Sequence, residues 1–396
     1  MREPKNWMKG LTPNVIKLGW VSCLADISSE MLYPIMPIFL TTVLGAPVSA
    51  LGLIEGIAEA IASLLKTASG RWSDRLGKRI PFVFSGYFLS AAARPIIAAA
   101  SGWGTVLFAR SMDRTGKGLR SSPRDALLAD SVPKEYFGKA FGFHRGMDTL
   151  GAVLGPIAAL GFIALFHENL RWVFIVAFVP GVLGALLVLK VKEDEKTVAK
   201  AAAPRPNLSF RALPASFKRY LGIWTLFSLV NSSDMFLLLK AKQFGFTTTL
   251  TVLLYVFYNI VYAVASPVLG SLSDRIGRKP ILTVGLLIFA SVYAGFALAT
   301  DRWQFWVLYG IYGLYIAATD GVGKALAVDL VSSEVRGAAI GLLGTMTGLA
   351  ALVASTIAGL LWTHFGSGAT FAYGAVGAVV SAFALIAFIP RVTSRN

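Results

Sequence analysis

A ten-residue phrase occurs twice in this chain, 200 residues apart. Gly70-Arg71-Trp72-Ser73-Asp74-Arg75-Leu76-Gly77-Lys78-Arg79 returns as Gly270-Ser271-Leu272-Ser273-Asp274-Arg275-Ile276-Gly277-Arg278-Lys279. Each copy is charged, holds two glycines and separates two long apolar stretches, so each reads as a turn. The same punctuation in both halves of a 396-residue chain points to an internal duplication, which fixes the architecture before any single element is considered. Two further pairs keep nearly the same register. Ser28-Ser29-Glu30-Met31 returns as Ser232-Ser233-Asp234-Met235. Asp130, Val132, Glu135, Gly138, Ala140 and Gly142 return as Asp329, Val331, Glu334, Gly337, Ala339 and Gly341.

The stretches between these marks are too apolar for a water-soluble fold. Hydrophobic residues make up 55% of the chain and charged residues 15%, and runs of about 20 mainly apolar residues recur throughout, long enough to cross a hydrocarbon core. Twelve such spans are expected, at roughly 16–43, 48–69, 81–100, 104–128, 137–166, 171–191, 220–241, 247–269, 281–300, 303–328, 335–365 and 369–389. The runs are too long for barrel strands and do not alternate. The fold class expected is therefore an all-α membrane protein with twelve transmembrane helices in two pseudo-symmetric six-helix bundles. The bundles would be 1–191 and 220–396, joined by a Pro-, Ala- and charge-rich linker at 192–219. Duplicated membrane bundles of this kind belong to transporters.

The net charge of +16 does not lead to nucleic acid, because of where the charge lies. Basic residues gather at the N-terminus (Arg2, Lys5, Lys9), in the two repeated turns and in 190–219, while connections 44–47 and 101–104 carry none. That is the positive-inside pattern of a multi-pass protein in a cell inner membrane. With an even number of spans, it puts both termini in the cytoplasm. The N-terminus shows no short apolar stretch with a small-residue cleavage site, so no cleaved signal peptide is expected. A single cysteine, Cys23, excludes an internal disulfide and a cysteine metal cluster. No P-loop pattern is present, so ion gradients rather than nucleotide are the expected energy source. The reading is of a non-enzymatic monomer with no cofactor, whose partners are the lipid bilayer, a small-molecule substrate and protons.

With both turns in view, the chain resembles the major facilitator superfamily, whose loop signature Gly-x-x-x-Asp-x-x-Gly-Arg/Lys-Arg/Lys both copies fit. The resemblance implies alternating access to a central cavity lined by spans 1, 4, 7 and 10. It also implies that Gly70, Asp74, Arg75, Gly77 and Arg79, with Gly270, Asp274, Arg275 and Gly277, form cytoplasmic gate latches. Asp74 would meet the N-terminal end of a helix in the other bundle, where a carboxylate is favoured by about 0.3–1 kcal/mol. A plain topology role fits the arginines as well. Gly151, Gly155 and Pro156 in span 5 resemble the antiporter motif of proton-coupled exporters, with Ala158 and Ala159 where glycines are expected. Ordinary close packing through small residues fits them too. The blocks around Asp26–Glu30, Gly52–Glu59 and Asp113–Asp125 resemble efflux permeases for phosphorylated organoarsenicals and their unassigned relatives.

Ionised side chains inside spans cost at least about 2.5–3.5 kcal/mol at the helix centre, so each should face a cavity or a partner. Asp26 and Glu30 lie four apart on span 1, and Glu55 and Glu59 four apart on span 2, so each pair shares a helix face. With Asp234 of span 7 they are the proton-coupling candidates, since neighbouring carboxylates in low dielectric hold protons readily. A permanent ion-pair network is the alternative. Arg110, Arg114 and Lys117 of span 4, Arg145 and Asp148 of span 5, Tyr255 and Asn259 of span 8, and Asp320 and Lys324 of span 10 are the substrate-binding candidates. The bases suit an anion through charge-assisted bonding, or else pair with the acids. Tyr258, Tyr262, Tyr312 and Tyr315 would complete a pocket in the second half. Arg120, Lys134 and Lys139 read as topology residues. Pro34 and Pro37 should bend span 1.

The resulting expectation is proton-coupled export of a small molecule. Export of an anionic phosphorylated metabolite or organoarsenical is the alternative, followed by divalent-metal export and a non-transporting membrane sensor.

Overall fold

The computed structural model describes residues 11–133, 136–167, 169–193, 210, 213–332 and 335–389. The basic N-terminal residues Arg2, Lys5 and Lys9, most of the linker 192–219, Lys134, and the repeat partners Glu135 and Glu334 lie outside them. The helices are α1 (Pro13–Glu30), α2 (Val48–Leu76), α3 (Ile80–Ala98), α4 (Trp103–Asp130), α5 (Phe137–Leu165), α6 (Leu170–Val188) and α7 (Ala215–Ser228). They continue with α8 (Met235–Gln243), α9 (Thr248–Ile276), α10 (Arg278–Leu298), α11 (Arg302–Asp329), α12 (Arg336–Phe365) and α13 (Ser367–Phe388). Among the described residues there is no strand.

Nine stretches among the described residues are long and apolar enough to cross a membrane. Three expected spans fall short, each for a visible reason. α4 carries Arg110, Asp113, Arg114, Lys117, Arg120, Arg124 and Asp125. α11 is diluted by Trp, Tyr and Gly. Span 7 is two short helices, α7 and α8, rather than the continuous 220–241 expected from hydropathy.

The breaks have local causes. α1 starts on Thr12, whose side chain accepts from Val15 N, with Pro13 in the first turn. It stops at Glu30, and an irregular path through Tyr33–Ile35 to Val43 follows. Pro34 and Pro37 withhold two backbone donors there, as expected. Span 7 breaks without proline. Its break is Asn231-Ser232-Ser233-Asp234, side chains that compete with the helix for backbone partners. Met235 N donates to Ser233 Oγ at 3.3 Å and Ser233 N to Ser355 Oγ at 3.2 Å, while Tyr373 Oη donates to Leu229 O at 2.8 Å.

The repeated phrase is mostly helix, not turn. α2 runs on through Gly70 to Leu76 and α9 through Gly270 to Ile276, since nothing in those seven residues breaks a helix. Only Gly77 (φ +61°) and Gly277 (φ +96°) reverse the chain, in a region that favours glycine.

By contact the chain forms two compact units. One holds Met1–Leu32, Leu64–Ala100 and Phe108–Pro204, and the other holds Tyr33–Ser63, Ser101–Leu107 and Arg205–Asn396. In the first, α1 packs on α5 and α6, and α3 on α6. In the second, α7 packs on α12 and α13, and α10 on α13. In span numbers these pairs are 1–5, 1–6 and 3–6 against 7–11, 7–12 and 9–12, so the duplication read in the sequence is repeated in the packing. Large apolar side chains face outward along the helices, among them Leu183, Val264, Val376 and Phe383, as lipid-facing surfaces require.

Candidate functional site

The first unit concentrates its charge where α1, α3, α4 and α5 meet. Gly151 and Gly155 of α5 lie directly beneath the two acids of α1. A side chain on Gly151 would begin 2.8 Å from Asp26 Cβ and 2.5 Å from Cys23 O. One on Gly155 would begin 2.9 Å from Glu30 Cβ and 2.8 Å from Ile27 O. The antiporter-like glycines therefore set how closely α5 approaches the acid-bearing helix. Further along α5, His144 is buried with Nε2 2.8 Å from Ser22 Oγ and Nδ1 3.6 Å from Asp148 Oδ2. Arg124 of α4 donates to the same Ser22 Oγ at 3.3 Å and pairs with Asp125 at 2.8 Å.

Deeper on α4, Asp113 is the hub of a buried cluster. Arg94 Nη1 approaches its Oδ1 at 2.7 Å and Arg110 Nη1 its Oδ2 at 3.2 Å. Arg94 also donates to Ser28 Oγ at 3.1 Å and to the Ser90 carbonyl, tying α3 to α1. Arg94 was missed in the sequence reading, although a lone arginine in an apolar span carries the same desolvation argument as the acids. Arg120 corrects an expectation: it is 7% exposed, donates to Ser90 Oγ at 2.7 Å and lies 4.2 Å over the Tyr87 ring. It is an internal strut of α3 and α4, not a topology residue. Gly86 and Gly116 permit this, since each backbone lies against the other helix. Of the remaining basic candidates, Arg114 is half-buried, while Lys117 and Arg145 are exposed; Arg145 reaches Asp148 at 3.9 Å.

Glu55 and Glu59 lie on the part of α2 that belongs to the second unit, Glu55 buried and Glu59 exposed. There Gly52 and Gly56 put the α2 backbone against Ser355 and Leu352 of α12, and Gly359 of α12 faces Ser49.

The second unit centres on Asp234, which closes the span 7 break, while its repeat partner Glu30 precedes the span 1 break. Its carboxylate accepts from Tyr312 Oη at 2.6 Å and Tyr258 Oη at 3.0 Å. Tyr255 stacks edge-on against Tyr258 at 5.2 Å between ring centres, and Asn231 Nδ2 donates to Tyr315 Oη at 3.1 Å. Asp320 accepts from Tyr262 at 3.1 Å and pairs with Lys324 at 2.6 Å. Asn259 donates to its own helix, to Tyr255 O, at 2.9 Å.

The repeated phrases form matching clamps within each unit. Arg79 is buried between Asp130 and Asp74, the latter at 3.7 Å. In the copy, the base lies one residue earlier. Arg278 reaches Asp274 at 2.5 Å and Asp329 at 3.3 Å, while Lys279 caps the last helix through the Ile386 carbonyl at 2.8 Å. Asp130 and Asp329 are repeat partners, so both clamps pin the loop to the end of the fourth helix of their half. Arg75 and Arg275 are exposed, and a side chain on Gly70 would begin 3.1 Å from Ser122 Cβ. No group of three or more His, Cys, Asp or Glu is arranged to hold a metal ion among the described residues.

Duplicated apolar helical bundles with broken helices and buried acids define a multi-pass membrane transporter. The chain belongs to the Major Facilitator Superfamily, whose family model matches residues 18–257 and 215–396. It is 38% identical over 387 residues to an uncharacterized MFS-type transporter, MJ1317, of Methanocaldococcus jannaschii, covering 95% of each chain. It is 24% identical over 351 residues to the multidrug resistance protein MdtG of Salmonella arizonae, covering 84% of each. Among solved structures, the nucleoside transporter NupG superposes with a TM-score of 0.77 at 15% identity over 96% of this chain and 100% of that one. A bacterial homolog of the human lysosomal transporter Spinster superposes at 0.73 with 16% identity, covering 94% of each.

Proposed function

We propose that this transporter is a proton-coupled exporter of a small molecule, working by alternating access as a monomer in the inner membrane with both termini cytoplasmic. The observation that carries the reading is the seating of Asp26 and Glu30 on Gly151 and Gly155. A proton gained or lost at either acid changes the charge at a seam packed backbone to backbone, so protonation and the fit of α1 on α5 are coupled. Packed seams of this kind switch between discrete arrangements rather than deform smoothly. The MdtG relative, described as a multidrug resistance protein, supports the export direction. The basic residues of α4 lend less to an anion site, because Arg110 and Arg120 are engaged inside the protein.

Reconstitution into proteoliposomes with an imposed pH gradient and an internal pH dye tests the reading. A substrate panel should include compounds that release a proton signal in the native protein, with the signal lost in Asp26→Asn or Glu30→Gln. Substrate movement that ignores the gradient, or survives unchanged in both variants, overturns it.

A further inference from the structure

We propose that the seam between α7 and α12 holds one anionic phospholipid, with its headgroup at Lys218 and an acyl chain along the groove beyond it. The proposal goes beyond the exporter reading, because it concerns a lipid of the surrounding bilayer and is tested by binding alone.

The internal repeat shows what is unusual about this seam. The register that pairs Gly142 with Gly341 also pairs Phe143 with Leu342 and Met147 with Met346. In the first unit, Phe143 and Met147 close the seam between α1 and α5. A side chain on Gly19 would begin 2.6 Å from the Phe143 ring and 3.1 Å from Met147 Cγ, and Phe143 packs on the core around Val15 and Leu18. In the second unit the corresponding seam is open. Leu342 and Met346 of α12, with Leu221, Thr225 and Leu229 of α7, line a groove of about 520 Å3. Gly222 also lines it, and a side chain added there would meet no atom within 4 Å. A glycine inside a helix forgoes stability. Unlike Gly151 and Gly155, this one serves no close helix contact; it leaves the groove open.

The chemistry of the groove fits one kind of occupant. Its lining positions on α7 are 218, 221, 222, 225, 226 and 229, which share one helix face. From Lys218 to Leu229 that face is about 16 Å long at the helical rise per residue. One leaflet of hydrocarbon, half of the bilayer core, is about 15 Å deep. The Thr225 hydroxyl donates to Leu221 O of its own helix at 2.7 Å, so it does not make the wall polar. The one charged lining residue is Lys218, at the end where span 7 begins, with Nζ 5.5 Å from the centre of the Phe210 ring. Arg219 beside it is exposed, as is Arg336 at the first residue of α12. Spans 7 and 11 cross in the same direction, so both arginines stand at the Lys218 end. No acid lines the groove among the described residues. An apolar wall one leaflet deep, with cations only at headgroup level, complements a lipid phosphate at Lys218 and a chain lying over Gly222. Basic pockets between membrane helices bind anionic headgroups in this way, and in the topology proposed above this mouth faces the negatively charged cytoplasmic leaflet. A zwitterionic lipid would bring an ammonium group of its own to a mouth that is already cationic.

The test is native mass spectrometry of the full-length chain, delipidated in non-ionic detergent and titrated with dioleoyl phosphatidylglycerol or dioleoyl phosphatidylcholine. One phosphatidylglycerol should be retained at least ten-fold more tightly than phosphatidylcholine, and Lys218→Gln should remove most of that difference. Two substitutions fill the groove. Gly222→Leu enters open space, and Leu342→Phe gives the second half the residue found in the first. Each should weaken retention at least ten-fold while the protein elutes as the native chain does, and if one fails to fold the other decides. Equal retention of the two lipids, an undiminished preference in Lys218→Gln, or unchanged retention in a folded filled variant would each overturn the site. Displacement of phosphatidylglycerol by an equal concentration of oleate would also overturn it, since the groove would then take a free single-chain anion rather than a bilayer lipid. Proton-driven export stands or falls separately, because no gradient or transport enters this assay.

Discussion

Glu30 of α1 rests on Gly155 of α5 so closely that a methyl group on the glycine would start 2.9 Å from the Glu30 β-carbon. Gly151 stands in the same relation to Asp26, one helical turn earlier. A Gly155→Ala change therefore forces α1 away from α5 or strains both helices, at about 1–3 kcal/mol by the usual cost of overpacking. Transport should fall sharply while the purified protein still elutes as a folded monomer. Gly161→Ala, which meets open space on the same helix, should change neither. Equal activity of the two variants in a proteoliposome assay would remove the special role of the seam.

The buried pair Arg94 and Asp113 should behave as structure rather than as substrate contact. Asp113→Asn leaves Arg94 and Arg110 without their common counter-charge in a dry environment. Removing one member of such a cluster costs about 3–5 kcal/mol. A fall in melting temperature is expected in detergent with and without substrate. If Asp113→Asn melts as the native protein does but loses one class of substrate, the cluster is a binding element instead.

Much of this was legible in the sequence because the strongest constraints are one-dimensional. Apolar runs of membrane length, the duplicated phrase and the positive-inside pattern are properties of residue order, and they carried fold class and family. The partners of the charges were not legible. Hydropathy averages across the Asn231–Asp234 break, so span 7 read as one helix. Arg120 counts as one more cation near the end of span 4 until the rotation of α4 puts it over Tyr87. Nor does residue order show that the helix carrying Glu55 packs its glycines on α12.

The two loop clamps should differ in strength despite their shared origin. Arg79 is 2% exposed and sits between two carboxylates, whereas the Arg278 side chain is 22% exposed and its partner Asp274 62%. Arg79→Gln removes the counter-charge of a buried site and should cost about 3 kcal/mol or more. Arg278→Gln should cost about 0–1 kcal/mol, the range of surface pairs. Thermal unfolding of the two variants side by side checks the order. Matched losses would mean that the clamps are equivalent.

The seam between α2 and α12 offers a direct test of motion. Ser49 N donates to Thr363 Oγ1 at 3.2 Å, and Gly52, Gly56 and Gly359 bring the two backbones into contact along the next turns. If this contact opens once per transport cycle, fixing it must stop transport, however good the substrate site is. Cysteines at Ser49 and Thr363, with Cys23 replaced by alanine, sit where one close backbone–side-chain contact already exists. Oxidation should abolish transport, and reduction should restore it. The cross-linked protein should still bind substrate from one side of the membrane alone. The matching control places cysteines at Asn14 and Lys192, whose Asn14 Nδ2 to Lys192 O bond of 2.7 Å lies within the first unit. Asn14 and Lys192 flank the first half of the duplication, whereas Ser49 and Thr363 come from its two different halves, so this link should leave transport unchanged. Transport that survives oxidation at Ser49 and Thr363, with the cross-link verified by mass spectrometry, would show that α2 and α12 stay together throughout the cycle.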